Sequence, residues 1–400
     1  MALLSYSYGY GQVIEIDAQN FPYYNVIEWK GMGAILMSKD PNKGTRQIAL
    51  TLVGNQETSI WDQKFNPKDD EFYFISSENA RYVYFLDDLE LNKGKVYFSQ
   101  LNSAGNIKTT NVALNIPIKK LGAYNIEDLE FINAVVTDKA LVHHFRYHDK
   151  KGKRIVEIAT FITHHNFRAY AVELGSIPME NFKDDDNGNW QYIGFSGETV
   201  IFAAREKVKK EKGWTIKEFS SKGVQSTSYY VPAPEGLLAV ENIGFGTTGS
   251  HYRDEANATE KGLLTAINGN LYLVGGRKKD KSAEVVLFHL NEGEWEELNS
   301  MQLNYFIDKK TLDLGIYPMN EGVGYHLNHN GYDKVSMIYF EPKKKTSHNN
   351  FTEFTIYNPS SVFIRKEKEE FVVLLDDIVI RFDTNQLGIE GPVKFEITKQ

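Results

Sequence analysis

Seven turns of hairpin chemistry, most of them rich in lysine, punctuate this chain at regular spacing, each set between short apolar runs. They read KDPNKG (39–44), NSAGN (102–106), HDKKGK (148–153), EKVKKEKG (206–213), RKKDK (277–281), EPKKKTSHNN (341–350) and DTNQLG (383–388). Their centres lie roughly 57 residues apart, so about seven such units fill the whole length of 400 residues. A four-stranded antiparallel sheet with its loops takes roughly 40 to 60 residues, the length of one propeller blade. The runs themselves are those of strands: AILM (34–37), YVYF (82–85), VYF (96–98), LYLV (271–274), VVLF (285–288). Few windows set apolar residues at helical spacing. The pattern predicts an all-β chain folded as a seven-bladed β-propeller of four-stranded antiparallel sheets. It would occupy residues 13–400 as a single domain, after a tail over 1–12. An open array would leave long unpaired edges, so residues 13–16 and 393–397 are expected to pair and close the ring.

One unit is more specific. Asn268, Gly269 and Asn270 lead into LYLV (271–274), then Gly275 and Gly276, then Phe288 with Trp295 seven positions later. This order resembles a kelch blade, with Phe where kelch usually carries Tyr, and it covers about 30 residues of the chain. The resemblance implies a propeller, and residues 200–204 with Trp214 echo it faintly.

Charge narrows the function classes. A net charge of -8 argues against a dedicated nucleic-acid binder, which needs a basic face to displace counterions. The absence of cysteine removes disulfides, thiolate metal sites and Cys nucleophiles. No stretch of 18 apolar residues spans a bilayer as a helix. The first twelve residues, MALLSYSYGYGQ, resemble the end of a bacterial export signal ahead of a strand over 13–16, or else form an ordinary tail; the first reading places the protein outside the cytoplasm, in the periplasm or at the cell surface, and the second leaves it in the cytoplasm.

Several motifs invite chemistry. Gly244, Gly246 and Gly249 have the spacing of a dinucleotide loop, yet the residues after them carry no apolar helical stripe, and in an all-β chain they mark a bulge or tight connection. His143, His144, His148, His164 and His165 suggest a metal site. If HDKKGK is the turn, Tyr147 lies beside Ile155 and His143 beside Ala159, which leaves His164 and His165 about 17 Å beyond His143 along the strand. They are expected as strand-end and surface histidines. Asp184, Asp185, Asp186, Asn187 and Asn189 resemble a calcium loop, but Asn189 stands where the glycine belongs and Phe195 where the closing glutamate belongs, so a solvated turn is expected. Ser38, Asp40, Gly44 and Thr45 are similar to the Asp-box turn of sialidases, with the glycine displaced. Carboxylate pairs such as Asp69–Asp70, Asp87–Asp88 and Asp376–Asp377 are available for acid/base work.

No motif among these demands catalysis or a cofactor. The expectation is a non-catalytic binding or scaffolding propeller that holds a protein partner in the bacterial cell envelope, with a propeller-fold carbohydrate-active hydrolase or lyase as the alternative. The two differ in surface: an enzyme gathers carboxylates and a basic residue at one channel mouth, a scaffold offers an apolar patch on a rim. Lys150, Lys151, Lys153, Lys207, Lys209, Lys210, Lys278, Lys279, Lys343, Lys344 and Lys345 are expected to form a basic arc that steers an acidic partner.

Overall fold

In the computed structural model the described residues are 12–16, 23–29, 32–39, 48–54, 59–65, 73–76, 82–88, 94–116, 129–137, 139–181, 190–196, 199–208, 211–237, 239–242, 263–267, 269–279, 282–302, 311–318, 323–328, 334–340, 353–357, 370–375, 378–389 and 392–399. Among them there is no α-helix, and none long and apolar enough to cross a membrane.

Strand β1 (Gln12–Ile16) precedes a meander of β2 (Tyr23–Trp29), β3 (Gly33–Lys39), β4 (Ile48–Gly54) and β5 (Ser59–Phe65). A second meander comprises β6 (Tyr73–Ser76), β7 (Tyr82–Asp88), β8 (Lys95–Asn102) and β9 (Ile107–Ala113), and a third β10 (Leu129–Val136), β11 (Ala140–Asp149), β12 (Arg154–Thr163) and β13 (Ala169–Pro178). Next come β14 (Trp190–Ser196), β15 (Thr199–Val208), β16 (Glu211–Ser220) and β17 (Gln225–Pro232), the short β18 (Ala239–Asn242), then β19 (Leu263–Ile267), β20 (Asn270–Lys279), β21 (Ser282–Asn291) and β22 (Glu294–Gln302). The chain ends with β23 (Thr311–Pro318), β24 (Val323–Asn328), β25 (Lys334–Phe340), β26 (Glu353–Tyr357), β27 (Glu370–Leu375), β28 (Ile378–Asp383) and β29 (Val393–Lys399).

The first strands of successive meanders meet. β14 pairs with β19 in parallel, joining two meanders into one eight-stranded sheet, and β10 packs against β6. Gly194 permits the β14–β19 contact: its φ is +145°, and a Cβ there would run into the Ala266 carbonyl. β18 likewise pairs in parallel with β23. The ring is closed by β1, which pairs antiparallel with β29 from Gln12↔Ile397 to Ile16↔Val393, the pairing expected from the sequence. Meanders set around an axis and tied by their two chain ends make this fold a β-propeller.

The apolar runs are continuous rather than alternating because the second strands whose side chains are described, β3, β7, β11, β15 and β20, are buried on both faces. Along β3, Ile35 and Met37 pack toward Val83, Phe85 and Leu101, whereas Ala34 and Leu36 pack toward Ile380, Phe382 and Phe395. Along β7, Val83 and Phe85 join the first of these cores, and Tyr84 and Leu86 join another with Leu141, Phe145 and Ile158. Each core therefore lies between neighbouring sheets, and period-two alternation sorts side chains between two cores instead of between core and water.

A polar chain of fixed direction crosses the second of these interfaces. His164 Nε2 donates to the Thr137 carbonyl at 2.8 Å, which leaves Nδ1 as the acceptor for the Tyr84 hydroxyl at 2.6 Å; Gln100 Nε2 in turn donates to the Tyr84 oxygen at 2.5 Å. Burial raises the Tyr84 hydroxyl far above its ordinary pKa, so it stays a donor. Tyr84→Phe strands a buried imidazole acceptor and is expected to lower unfolding stability by about 1–3 kcal/mol, read from the denaturant midpoint.

Candidate functional site

A row of charge runs across the third meander on the face turned to β14–β17. Glu130 on β10 stands opposite Arg146 on β11, and Arg146 stands opposite Glu157 on β12. Arg146 Nη1 lies 3.4 Å from Glu130 Oε2, and His148 Nε2 lies 3.6 Å from the same oxygen. The row is graded in exposure: the side chains of Glu130 and His148 are 54% and 31% exposed, that of Arg146 is 5% and that of Glu157 is 3%. Its accessible end is therefore the innermost strand, where the first strands meet.

Glu157 anchors the closed end. Its Oε2 accepts the Trp190 backbone N–H from β14 at 2.8 Å and lies 3.0 Å from His144 Nε2, so one carboxylate links two sheets. Trp190 fits because the next position in the row is Gly175, where a Cβ would come within 2.5 Å of the indole nitrogen. Lys217 covers the other side of that ring, with Nζ 4.6 Å from its centroid, and donates to the Leu174 carbonyl at 2.5 Å; burial pulls its pKa down, against the opposing charges of Glu173 and Glu206.

The histidines depart from the expected surface placement. His143, His144 and His164 are buried, and only His148 and the exposed His165 keep the expected character. The reason is the two-sided burial of β11: His143 lies between Phe131 and Phe145 in one interface, and His144 faces Phe202 in the next. Burial pushes the His143 pKa down to about 3. The hairpin register also differs by one residue, with His143 opposite Thr160 and Tyr147 opposite Val156. Asp149 accepts the Gly152 amide at 2.8 Å and pairs with Arg154 at 3.1 Å, and because it stands opposite Arg154 the turn holds one residue more than expected. These bonds hold the Asp149 carboxyl below the ordinary range, the Gly152 amide foremost. No group of three or more metal-ligating side chains gathers among the described residues.

Lys150, Lys151 and Lys153 are exposed on the β11–β12 turn, Lys278 is exposed on β20 with Lys279 closing that strand, and Lys207 lies in β15. Lys209, Lys210, Lys343, Lys344 and Lys345 fall outside the described residues, as do Gly244, Gly246, Gly249 and the acidic segment 184–189. In the unit over residues 268–295 the double glycine sits within β20, opposite Val286 and Val285, and Trp295 packs edge-on against Trp214 at 6.4 Å while its Nε1 donates to the Pro232 carbonyl at 2.7 Å. Both tryptophans thus serve an interface between meanders.

No protein-family profile matches the chain, and no curated protein matches it. Among solved structures it is similar to an oligogalacturonate lyase in complex with manganese (9% identity, 98% of each chain covered, TM-score 0.49). It is also similar to the β-propeller domain of the Trilobed protease from Pyrococcus furiosus (8% identity, 95% of each chain, TM-score 0.45) and to a polysaccharide lyase (11% identity, 100% of this chain and 94% of the other, TM-score 0.40). At these identities the likeness speaks to the fold alone. The non-catalytic scaffold expected from the sequence is nevertheless corrected: the propellers that share the architecture are mostly named as enzymes, and Glu130 on β10 stands beside the Arg146 guanidinium and the His148 imidazole of β11.

Proposed function

We propose that the chain is a single seven-bladed propeller over residues 13–400 that acts on carbohydrate as a hydrolase or lyase. The blade count is supported by the division of the eight-stranded sheet at its parallel pair, which leaves a four-stranded meander on each side. The observation that carries the catalytic reading is the convergence of Arg146 and His148 on Glu130 at 3.4 and 3.6 Å, at the accessible end of an otherwise buried row. Carboxylate and imidazole form a proton donor and acceptor pair at that end.

Of the two chemistries the cluster favours elimination. Its accessible carboxylate is Glu130, whereas Glu157 is buried. Glycoside hydrolysis uses two carboxyl groups that both reach the substrate. Elimination uses one base: it takes the proton beside the sugar carboxylate, the C–O bond one carbon further breaks, and the leaving oxygen receives a proton. Lys150, Lys151 and Lys153, exposed on the turn that follows His148, add positive charge near an acidic chain.

The test is turnover of a panel of neutral and acidic glycans, followed by ultraviolet absorbance for an unsaturated product and by mass for added water. Glu130→Gln and His148→Asn are expected to lower the rate about 100-fold or more with thermal unfolding unchanged. Wild-type rates in both variants, or no turnover of any glycan, would overturn the reading.

A further inference from the structure

Among the described residues the outer strand of each meander, β1 in the closing sheet, has a hydrogen-bonded neighbour on one side only, and in a ring this outer edge faces away from the axis. Natural edges are guarded against pairing with other chains, most often by charge. Among the outer strands whose side chains are described, four carry such a guard: Glu15 on β1, Lys108 on β9, Glu173 on β13, and Glu294, Glu296 and Glu297 on β22. Strand β17, QSTSYYVP, carries none. Its residues 225–229 are all exposed, and Val224 at 65% and Tyr229 at 38% are two of the five exposed large hydrophobic side chains among the described residues.

We propose that β17 is a self-association edge, pairing antiparallel with β17 of a second copy across a twofold axis. A twofold axis that brings two identical strands side by side in one sheet reverses one against the other, so antiparallel pairing is the closed arrangement. Charge selects a second copy as the occupant. Identical antiparallel strands set each residue opposite itself or a near neighbour in sequence, and on β22 this brings Glu294, Glu296 and Glu297 together between chains of net charge -8. On β17 the same operation sets Ser226, Thr227 and Ser228 against one another, and cross-strand hydroxyl pairs are favourable. The strand has eight residues, enough for a ladder, and its single proline, Pro232, stands at the end where it interrupts nothing.

Sedimentation of the full chain across a range of concentrations should show a monomer–dimer equilibrium. Thr227→Lys places two like charges beside the axis and should shift the dissociation constant at least about tenfold toward monomer with thermal unfolding unchanged, whereas Asn111→Lys on the outer strand β9 should leave it alone. A second readout does not depend on that variant: the chain has no cysteine, so Ser228→Cys supplies the only thiol, and mild oxidation should give a cross-linked dimer that Asn111→Cys does not. A wild-type chain that stays monomeric throughout, or equal cross-linking at positions 228 and 111, would overturn the proposal. Neither outcome bears on glycan turnover.

Discussion

Glu157→Ala is expected to lower unfolding stability by about 3–5 kcal/mol, among the largest losses available to a single substitution in this fold. Removal of the carboxylate strands the Trp190 amide at 2.8 Å and His144 Nε2 at 3.0 Å, and takes a negative charge from the position opposite Arg146. All of these lie in the interface between the third meander and the next, where water does not replace the lost acceptor. Glu157→Gln keeps an acceptor for the amide and should lose less. The discriminating variant is the double replacement His144→Leu with Glu157→Leu: apolar groups of similar size leave fewer polar groups stranded, so the pair should recover part of the loss of Glu157→Ala. Denaturant midpoints at neutral pH measure all three. A loss below about 1 kcal/mol for Glu157→Ala would show that the carboxylate does not bridge the sheets.

Acid is expected to weaken the fold through His143. The side chain is wholly buried and its pKa falls to about 3, so the native state holds it neutral while the unfolded chain titrates near the ordinary value of about 6.5. Above that value neither state binds a proton there and the contribution is complete. As pH falls below it the unfolded state gains a proton that the native state does not, and stability drops by about 1.4 kcal/mol per pH unit until the native pKa is reached near 3. At pH 5 the loss from this one residue is about 2 kcal/mol. His143→Phe retains an aromatic ring between Phe131 and Phe145 and should remove that part of the acid slope. A slope unchanged in the variant would place the acid sensitivity elsewhere.

The architecture was legible because it rests on spacing. Turns recurring at about 57 residues, with runs such as AILM and YVYF between them, require many short strands, and the closing pair could be named because residues 13–16 and 393–397 are the strand-like runs nearest the two ends. The site was less legible. Reading the histidines as surface groups assumed that a polar side chain in a strand faces water, which fails where both faces of β11 meet a neighbouring sheet. A signal was present: Glu157 is the one carboxylate inside the apolar run RIVEIATFIT, and Arg146 is the one guanidinium in ALVHHFRYHD on the strand before it. A lone acid and a lone base in adjoining buried strands point to a paired charge. The turn hid the match, because the loop held by Asp149 is one residue longer than expected and shifts the register by one, and opposite faces of β11 exchange when the register slips by one.

The pairing of β1 with β29 also governs how the molecule is made. On the ribosome β1 emerges before every meander and β29 after the last of them, so a nascent chain can finish its inner meanders before the seam has a partner. Until β29 is made, β1 carries an open ladder of amides and carbonyls. The seam closes a loop that holds all the other strands, the slowest kind of contact to form. A cell producing this protein has to shield one five-residue strand from other chains until β29 has been synthesised.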